Sequence, residues 1–148
     1  MKKLALLIVI LFMGLLAYGQ NINPVKWSTE VIKVSDNQYQ LVSIATIEDG
    51  WHIYSQKATD GPIPTSFAYN TQNGAVILVE ETTEEDGHIV DDPFFGVKIK
   101  FFEKSTKFIQ QVETSSGISS INGTVEFMVC NDAQCLPPTQ IELTFTLE

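Results

Sequence analysis

From residue 25 onward the apolar positions of this chain recur every second residue rather than every three or four, which is the period of a strand and not of a helix. Seven runs carry the pattern: "VKWSTEVIKV", "QYQLVSIATI", "AVILVEE", "VKIKFFEK", "KFIQQVE", "GTVEFMVC" and "QIELTFTLE". The last is the cleanest, with Ile141, Leu143, Phe145 and Leu147 alternating with Glu142, Thr144 and Thr146. Such a strand has one buried and one wet face. Short runs broken by Gly, Pro, Asn and Asp, with no capped helical stripe among them, predict an all-β fold, an immunoglobulin-like β-sandwich of two antiparallel sheets. A β-barrel is the other closed arrangement the pattern permits. The acidic run "EETTEEDG", residues 80–87, reads as a solvated hairpin tip and lacks the spacing of a calcium loop. Asn122-Gly123-Thr124 reads as a tight turn in preference to a glycosylation acceptor, because Asn-Gly supplies the positive φ angles of a two-residue hairpin.

The amino terminus changes the setting. Lys2 and Lys3 precede the apolar run "LALLIVILFMGLL" and the small-residue pattern Ala17-Tyr18-Gly19, the features of a secretory signal peptide over residues 1–19, cleaved near Gly19 or Gln20. The run is shorter than the ~18 residues that a membrane span requires. Residues 20–148 are then expected to form one exported domain. Every cation in the sequence is a lysine, and with Lys2 and Lys3 removed the 7 that remain face 18 acidic residues, a net charge of −11. That excess of negative charge argues against nucleic acid or an anionic membrane surface as a partner.

Export also places the only two cysteines, Cys130 and Cys135 in "VCNDAQCLPP", in an oxidising compartment where a disulfide can persist. A loop of about six residues closed by such a bond stabilises by roughly 2 kcal/mol, whereas one of sixty would give roughly 4 kcal/mol. The pair is a weak staple. Alternation puts Val125, Phe127 and Val129 on the core face, so Cys130 points away from the main core or into the end of the sandwich, within reach of Cys135 across a short loop. Pro137 and its neighbour Pro138 stiffen the chain that follows, which would keep the second sulfur presented. Spacing alone leaves a structural and a redox-active disulfide both open. Zinc has less support, since His52 and His88 lie far upstream without paired ligand spacing.

"TVEFMVCNDAQCLPPTQIEL", together with "DGWHIYSQ" and "DDPFFG", resembles the amino-terminal periplasmic domain of the thiol:disulfide interchange protein DsbD. The resemblance implies an immunoglobulin-like domain whose Cys130/Cys135 dithiol passes electrons to or from thioredoxin-fold exported proteins, in the periplasm, with no cofactor and no metal. It implies that Cys135 forms the mixed disulfide and Cys130 resolves it. It further implies that Asp92, Phe94 and Phe95 belong to a cap loop with Phe94 at the capping position, and that His52 and Tyr54 lie beside the cysteines. His52 departs from the aromatic residue of the family, and four residues separate the cysteines where the best-known member has five. Asp132, with Asp91 or Asp92, is a candidate for restraining thiolate formation by negative charge. The sequence stops at residue 148, so the electron donor is expected to be a separate membrane or thioredoxin-like molecule. The rival expectation is an exported immunoglobulin-like binding or structural module with a purely structural disulfide.

Overall fold

The computed structural model describes residues 22–147, and the signal peptide expected over residues 1–19 lies outside them. Among the described residues the chain forms eleven strands and a single 3-10 turn at Gln72–Gly74. One layer has the order β1-β2-β8-β5, built from β1 (Val25–Lys33), β2 (Gln38–Ile47), β8 (Ser105–Thr114) and β5 (Val76–Glu84). The opposite layer is divided into two ladders. In one, β9 (Ser120–Phe127) lies between β11 (Thr139–Thr146) and β4 (Ser66–Tyr69); in the other the order is β10-β3-β7-β6, from β10 (Val129–Cys130), β3 (His52–Tyr54), β7 (Lys98–Glu103) and β6 (His88–Asp91). The two ladders share one stretch of chain, because β9 runs into β10 across Met128. Every strand pair is antiparallel, giving the all-β, immunoglobulin-like sandwich that the alternation predicts.

All three ladders contribute to one core. Leu41, Phe108 and Val112 come from the first layer, Val125, Phe127 and Phe145 from the ladder around β9, and Ile53, Phe102 and Val129 from the ladder around β3. Each side chain of this size stabilises by roughly 1.5–3 kcal/mol when fully buried. Trp27 of β1 spans the layers, with ring centroids 5.9 Å from Phe67 and 5.5 Å from Phe127. The inward set Val125, Phe127 and Val129 is as the alternation requires. Cys130 has the other parity and joins a second, smaller cluster with Tyr54 and Ile99.

Several local expectations are corrected. The run at residues 80–87 is not a hairpin tip: β5 continues through it to Glu84, with a bulge between Val79 and Thr83 where the register to β8 shifts. The buried Gln110 fills that bulge, donating to the carbonyls of Val79 and Glu80 and accepting from the Thr82 hydroxyl. Asn122-Gly123 is not a turn either. Both residues lie within β9, opposite Thr144 and Leu143. Gly123 is required by close approach instead, since a Cβ there would meet the Ala68 carbonyl oxygen at 2.7 Å. Strands β3, β4 and β6 are additions to the sequence-based set. At three or four residues each, they are too short for a period to declare itself.

Glu84 is the least solvated of these acidic side chains, at 6% exposure. It accepts hydrogen bonds from the Ser55 hydroxyl, the Gln56 backbone N–H at 2.9 Å and Lys100 Nζ at 3.2 Å. Burial pushes its carboxyl up, but these donors together outweigh burial and hold it below the ordinary carboxylate value. Because the folded value lies below the unfolded one, the stabilisation is complete above the unfolded pKa and is lost as pH falls through the folded one. Glu84→Gln is expected to cost about 2 kcal/mol near neutral pH, less than for a fully enclosed ion pair because Lys100 is partly solvated. In urea titrations the difference from the unmodified protein should shrink steadily below about pH 4. A pH-independent difference would contradict this.

Candidate functional site

The site is assembled where β9 breaks. Cys130 closes β10, and its disulfide to Cys135 spans a Cα–Cα distance of 4.0 Å. The intervening turn is locally determined. Asn131 Oδ1 accepts from the backbone N–H groups of Ala133 and Gln134, the Asn131 N–H donates to the Gln134 carbonyl, and Leu136 N–H donates back to the carbonyl of Val129. A side-chain oxygen that mimics a backbone acceptor is why Asn suits this position. Pro137 is exposed just beyond Leu136, and its carbonyl accepts from the Thr139 hydroxyl. The two sulfurs are not equally accessible. Cys130 is fully buried, and only Cys135 is partly open to solvent.

Register sets the neighbours of Cys130. β3 pairs with β10 so that His52 lies opposite Cys130 and Ile53 opposite Val129. Facing residues of an antiparallel pair project to the same side, so His52 and Tyr54 share the face of Cys130 while Ile53 goes to the core. On the far side β3 pairs with β7, placing Glu103 opposite His52 and Phe101 opposite Tyr54. The His52 ring lies 4.7 Å from that of Phe101 and 5.2 Å from that of Tyr54.

A hydrogen-bonded chain leads from His52 to the loop after β6. His52 Nε2 is 3.2 Å from the Tyr54 hydroxyl, which donates to Asp92 Oδ2 at 3.1 Å. The other oxygen, Asp92 Oδ1, accepts from the backbone N–H groups of Phe94 at 2.9 Å and Phe95 at 3.1 Å. Asp92 is itself buried, so this carboxylate is the internal anchor of the loop. Asp91, by contrast, is exposed and paired with Lys98 at 3.1 Å. Burial, and then the charge and hydrogen bond of Asp92, push the Tyr54 hydroxyl well above its ordinary value. Burial lowers the His52 pKa against the opposing pull of Asp92, Glu103 and Asp132.

The two phenylalanines divide. Phe95 packs into the cluster that holds Tyr54, Ile99, Cys130 and Cys135, with its ring 6.2 Å from that of Tyr54. Phe94 is 46% exposed and lines a cavity of about 110 Å³ shared with His52, Asp92, Glu103, Asn131 and Asp132. Neither is an ordinary residue of the main core. Larger depressions, of about 420 and 610 Å³, lie away from the cysteines, beside Gly123 and between β1 and β11. His88, on β6, is a surface residue 3.9 Å from Glu103.

Sequence reasoning missed Ile99, Phe101, Met128 and Glu103. A signal for Phe101 exists in "VKIKFFEK", where adjacent Phe101 and Phe102 cannot face the same side of one strand. Phe102 enters the main core, so Phe101 must cover something else, and it covers the cysteine cluster.

Comparison with known proteins shows the family and the fold. The family described as thiol:disulfide interchange protein DsbD, N-terminal, matches residues 24–147. Among solved structures, the reduced DsbD amino-terminal domain of Neisseria meningitidis aligns over 81% of this chain and 84% of its own, with a TM-score of 0.55 and 16% identity. The amino-terminal periplasmic domain of ScsB from Proteus mirabilis aligns over 81% of this chain and 44% of its own, with a TM-score of 0.57 and 16% identity. A complex between the DsbD and PilB amino-terminal domains of Neisseria meningitidis aligns over 84% and 86%, with a TM-score of 0.54 and 15% identity. No curated protein sequence matches the chain.

Proposed function

The chain belongs to the family of amino-terminal domains of the thiol:disulfide interchange protein DsbD, and from that membership we propose a division of labour between its two sulfurs. Cys135 is the exchanging sulfur and Cys130 the resolving one. The observation that carries this is their unequal burial across one short turn, Cys130 enclosed and Cys135 partly open. A partner's disulfide can be attacked only by a sulfur it can reach.

In the reduced form Cys135 as thiolate attacks a partner disulfide, forming a mixed disulfide and releasing one partner thiolate. Cys130 then attacks Cys135, the intramolecular bond closes, and the second partner sulfur leaves with its electron pair. Two electrons pass to the partner. The solved complex of a DsbD amino-terminal domain with a PilB amino-terminal domain supports a protein partner, which we take to be an exported thioredoxin-fold protein, with reduction of this chain supplied by a separate donor. The periplasmic ScsB neighbour and the leader read at residues 1–19 support a periplasmic location. Asp92 holds the loop of Phe94 and Phe95 over the site, as a cap that must move for a partner to dock.

Mixing the reduced protein with an oxidised thioredoxin-fold protein tests the reading. Two thiols should disappear from this chain for every two that appear on the acceptor. Retention of both thiols with a fully oxidised acceptor would overturn it.

A further inference from the structure

We infer that His52 is the base that takes the proton from Cys130 when Cys130 resolves the mixed disulfide. The inference rests on the assignment of Cys130 as the resolving sulfur, and four observations converge on it. First, His52 and Cys130 are direct cross-strand partners, so their Cβ atoms are about 4.5–5.5 Å apart on one face of the sheet. The two side chains therefore leave the sheet side by side. Second, Cys130 is fully enclosed by a cluster that includes Tyr54, Ile99, Phe95, Phe101 and Met128. Apolar enclosure disfavours a thiolate, yet only the thiolate attacks, so the step calls for a local proton acceptor.

Third, the hydrogen-bonded chain fixes the tautomer. The Tyr54 hydroxyl has one proton and gives it to Asp92 Oδ2, so at its 3.2 Å contact with His52 Nε2 it must accept. Nε2 therefore carries the ring hydrogen, and Nδ1 keeps a free lone pair. Nucleophile, base and an orienting third group is the arrangement by which proteins activate a weak nucleophile. Fourth, the charges around the ring suit a transient cation. Asp92 faces it from the cap loop, Glu103 from β7 and Asp132 from the cysteine turn, with Tyr54 on its own strand and His88 on β6 beyond Phe101 and Glu103. Burial keeps the resting ring neutral and so able to accept.

The step balances. In the mixed disulfide Cys130 is a thiol; its proton moves to His52 Nδ1 and the thiolate attacks Cys135 Sγ. The Cys130–Cys135 bond forms as the bond from Cys135 to the partner breaks, and the leaving partner thiolate takes up a proton from the imidazolium or from solvent. The chain is oxidised by two electrons and the partner reduced by two.

The test uses the reduced full chain and Ellman's disulfide, 5,5′-dithiobis(2-nitrobenzoate), which yields one thionitrobenzoate when Cys135 is labelled and a second when Cys130 closes the ring. For His52→Gln the first release should be unchanged and the second slower by about 10²-fold at neutral pH. Its pH profile should move up to that of an unassisted thiol, whereas the unmodified protein should keep its rate down to the titration of His52. Gln can still donate to Tyr54, so this variant separates proton transfer from packing, and His52→Phe should lose the second release to the same extent. A second release from His52→Gln at the unmodified rate and pH profile would overturn the inference while leaving the proposed function intact. Peptide mapping that finds the first label on Cys130 would instead overturn the assignment on which both depend.

Discussion

Replacing Cys130 with Ala should convert a transient mixed disulfide into a stable covalent complex. Without a resolving sulfur, the Cys135-linked adduct with an oxidised thioredoxin-fold protein should accumulate to near stoichiometry on a non-reducing gel, and dithiothreitol should dissolve it. Cys135→Ala should give no adduct, because the remaining sulfur is buried. The variants are suitable for the purpose because the bond contributes little to the fold. Losing closure of so short a loop costs roughly 2 kcal/mol against the 5–15 kcal/mol typical of a domain, so both proteins should remain folded. Equal trapping by both single variants would show that burial does not discriminate between the sulfurs. Trapping through Cys130 alone would reverse their roles.

The second large effect is expected at Asp92. Asp92→Ala removes the acceptor for the Tyr54 hydroxyl and for the Phe94 and Phe95 backbone N–H groups at once. The buried Tyr54 hydroxyl would keep only its 3.2 Å contact with His52 Nε2, and losing a hydrogen bond to a charged group costs about 1.5–3 kcal/mol. The two backbone donors sit in a loop at the surface and can turn to water, so the loop should open rather than the sandwich unfold. A loss of about 1.4 kcal/mol in loop closure corresponds to a tenfold rise in its open population. Reduction of the disulfide by dithiothreitol should therefore accelerate by at least about tenfold in Asp92→Ala. Phe94→Ala, at an exposed position, should cost under about 1 kcal/mol in stability. An unaltered reduction rate in Asp92→Ala would mean that the loop does not shield the sulfurs.

What was legible in the sequence follows from how far each signal reaches along the chain. β2 occupies the span Gln38–Ile47 that its alternation predicts, and the inward face of Val125, Phe127 and Val129 is likewise as read, because a period of two over six or more residues leaves one way to bury the apolar set. The break at Met128 was not legible, since nothing in "GTVEFMVC" interrupts the alternation; the strand changes partners there because β3, far earlier in sequence, pairs with only its last two residues. Asn122-Gly123 shows the reverse error. Its local turn chemistry was overridden by pairing on both sides of β9, and the glycine is needed by the backbone of β4. Glu84 reads as one acid among several, yet Ser55, Gln56 and Lys100 converge on it from distant segments.

The candidate site divides in the same way. Proximity of Cys130 to Cys135 needed only a short loop, and the disulfide is present. Their unequal burial could not be read, because it depends on Ile99, Phe101 and Phe95 arriving from β7 and the loop after β6. The path from His52 through Tyr54 to Asp92 was equally hidden. It exists because β3, β10 and β7 align in one register and the chain after β6 folds back over them.

The reduction potential of the Cys130–Cys135 pair, measured by equilibration against glutathione buffers, tests the exchange function most directly. A dithiol that trades electrons with thioredoxin-fold proteins should equilibrate between about −180 and −270 mV, the range of such partners. A value below about −300 mV, where structural disulfides of exported proteins lie, would contradict the account and leave the bond as a fastener of one hairpin.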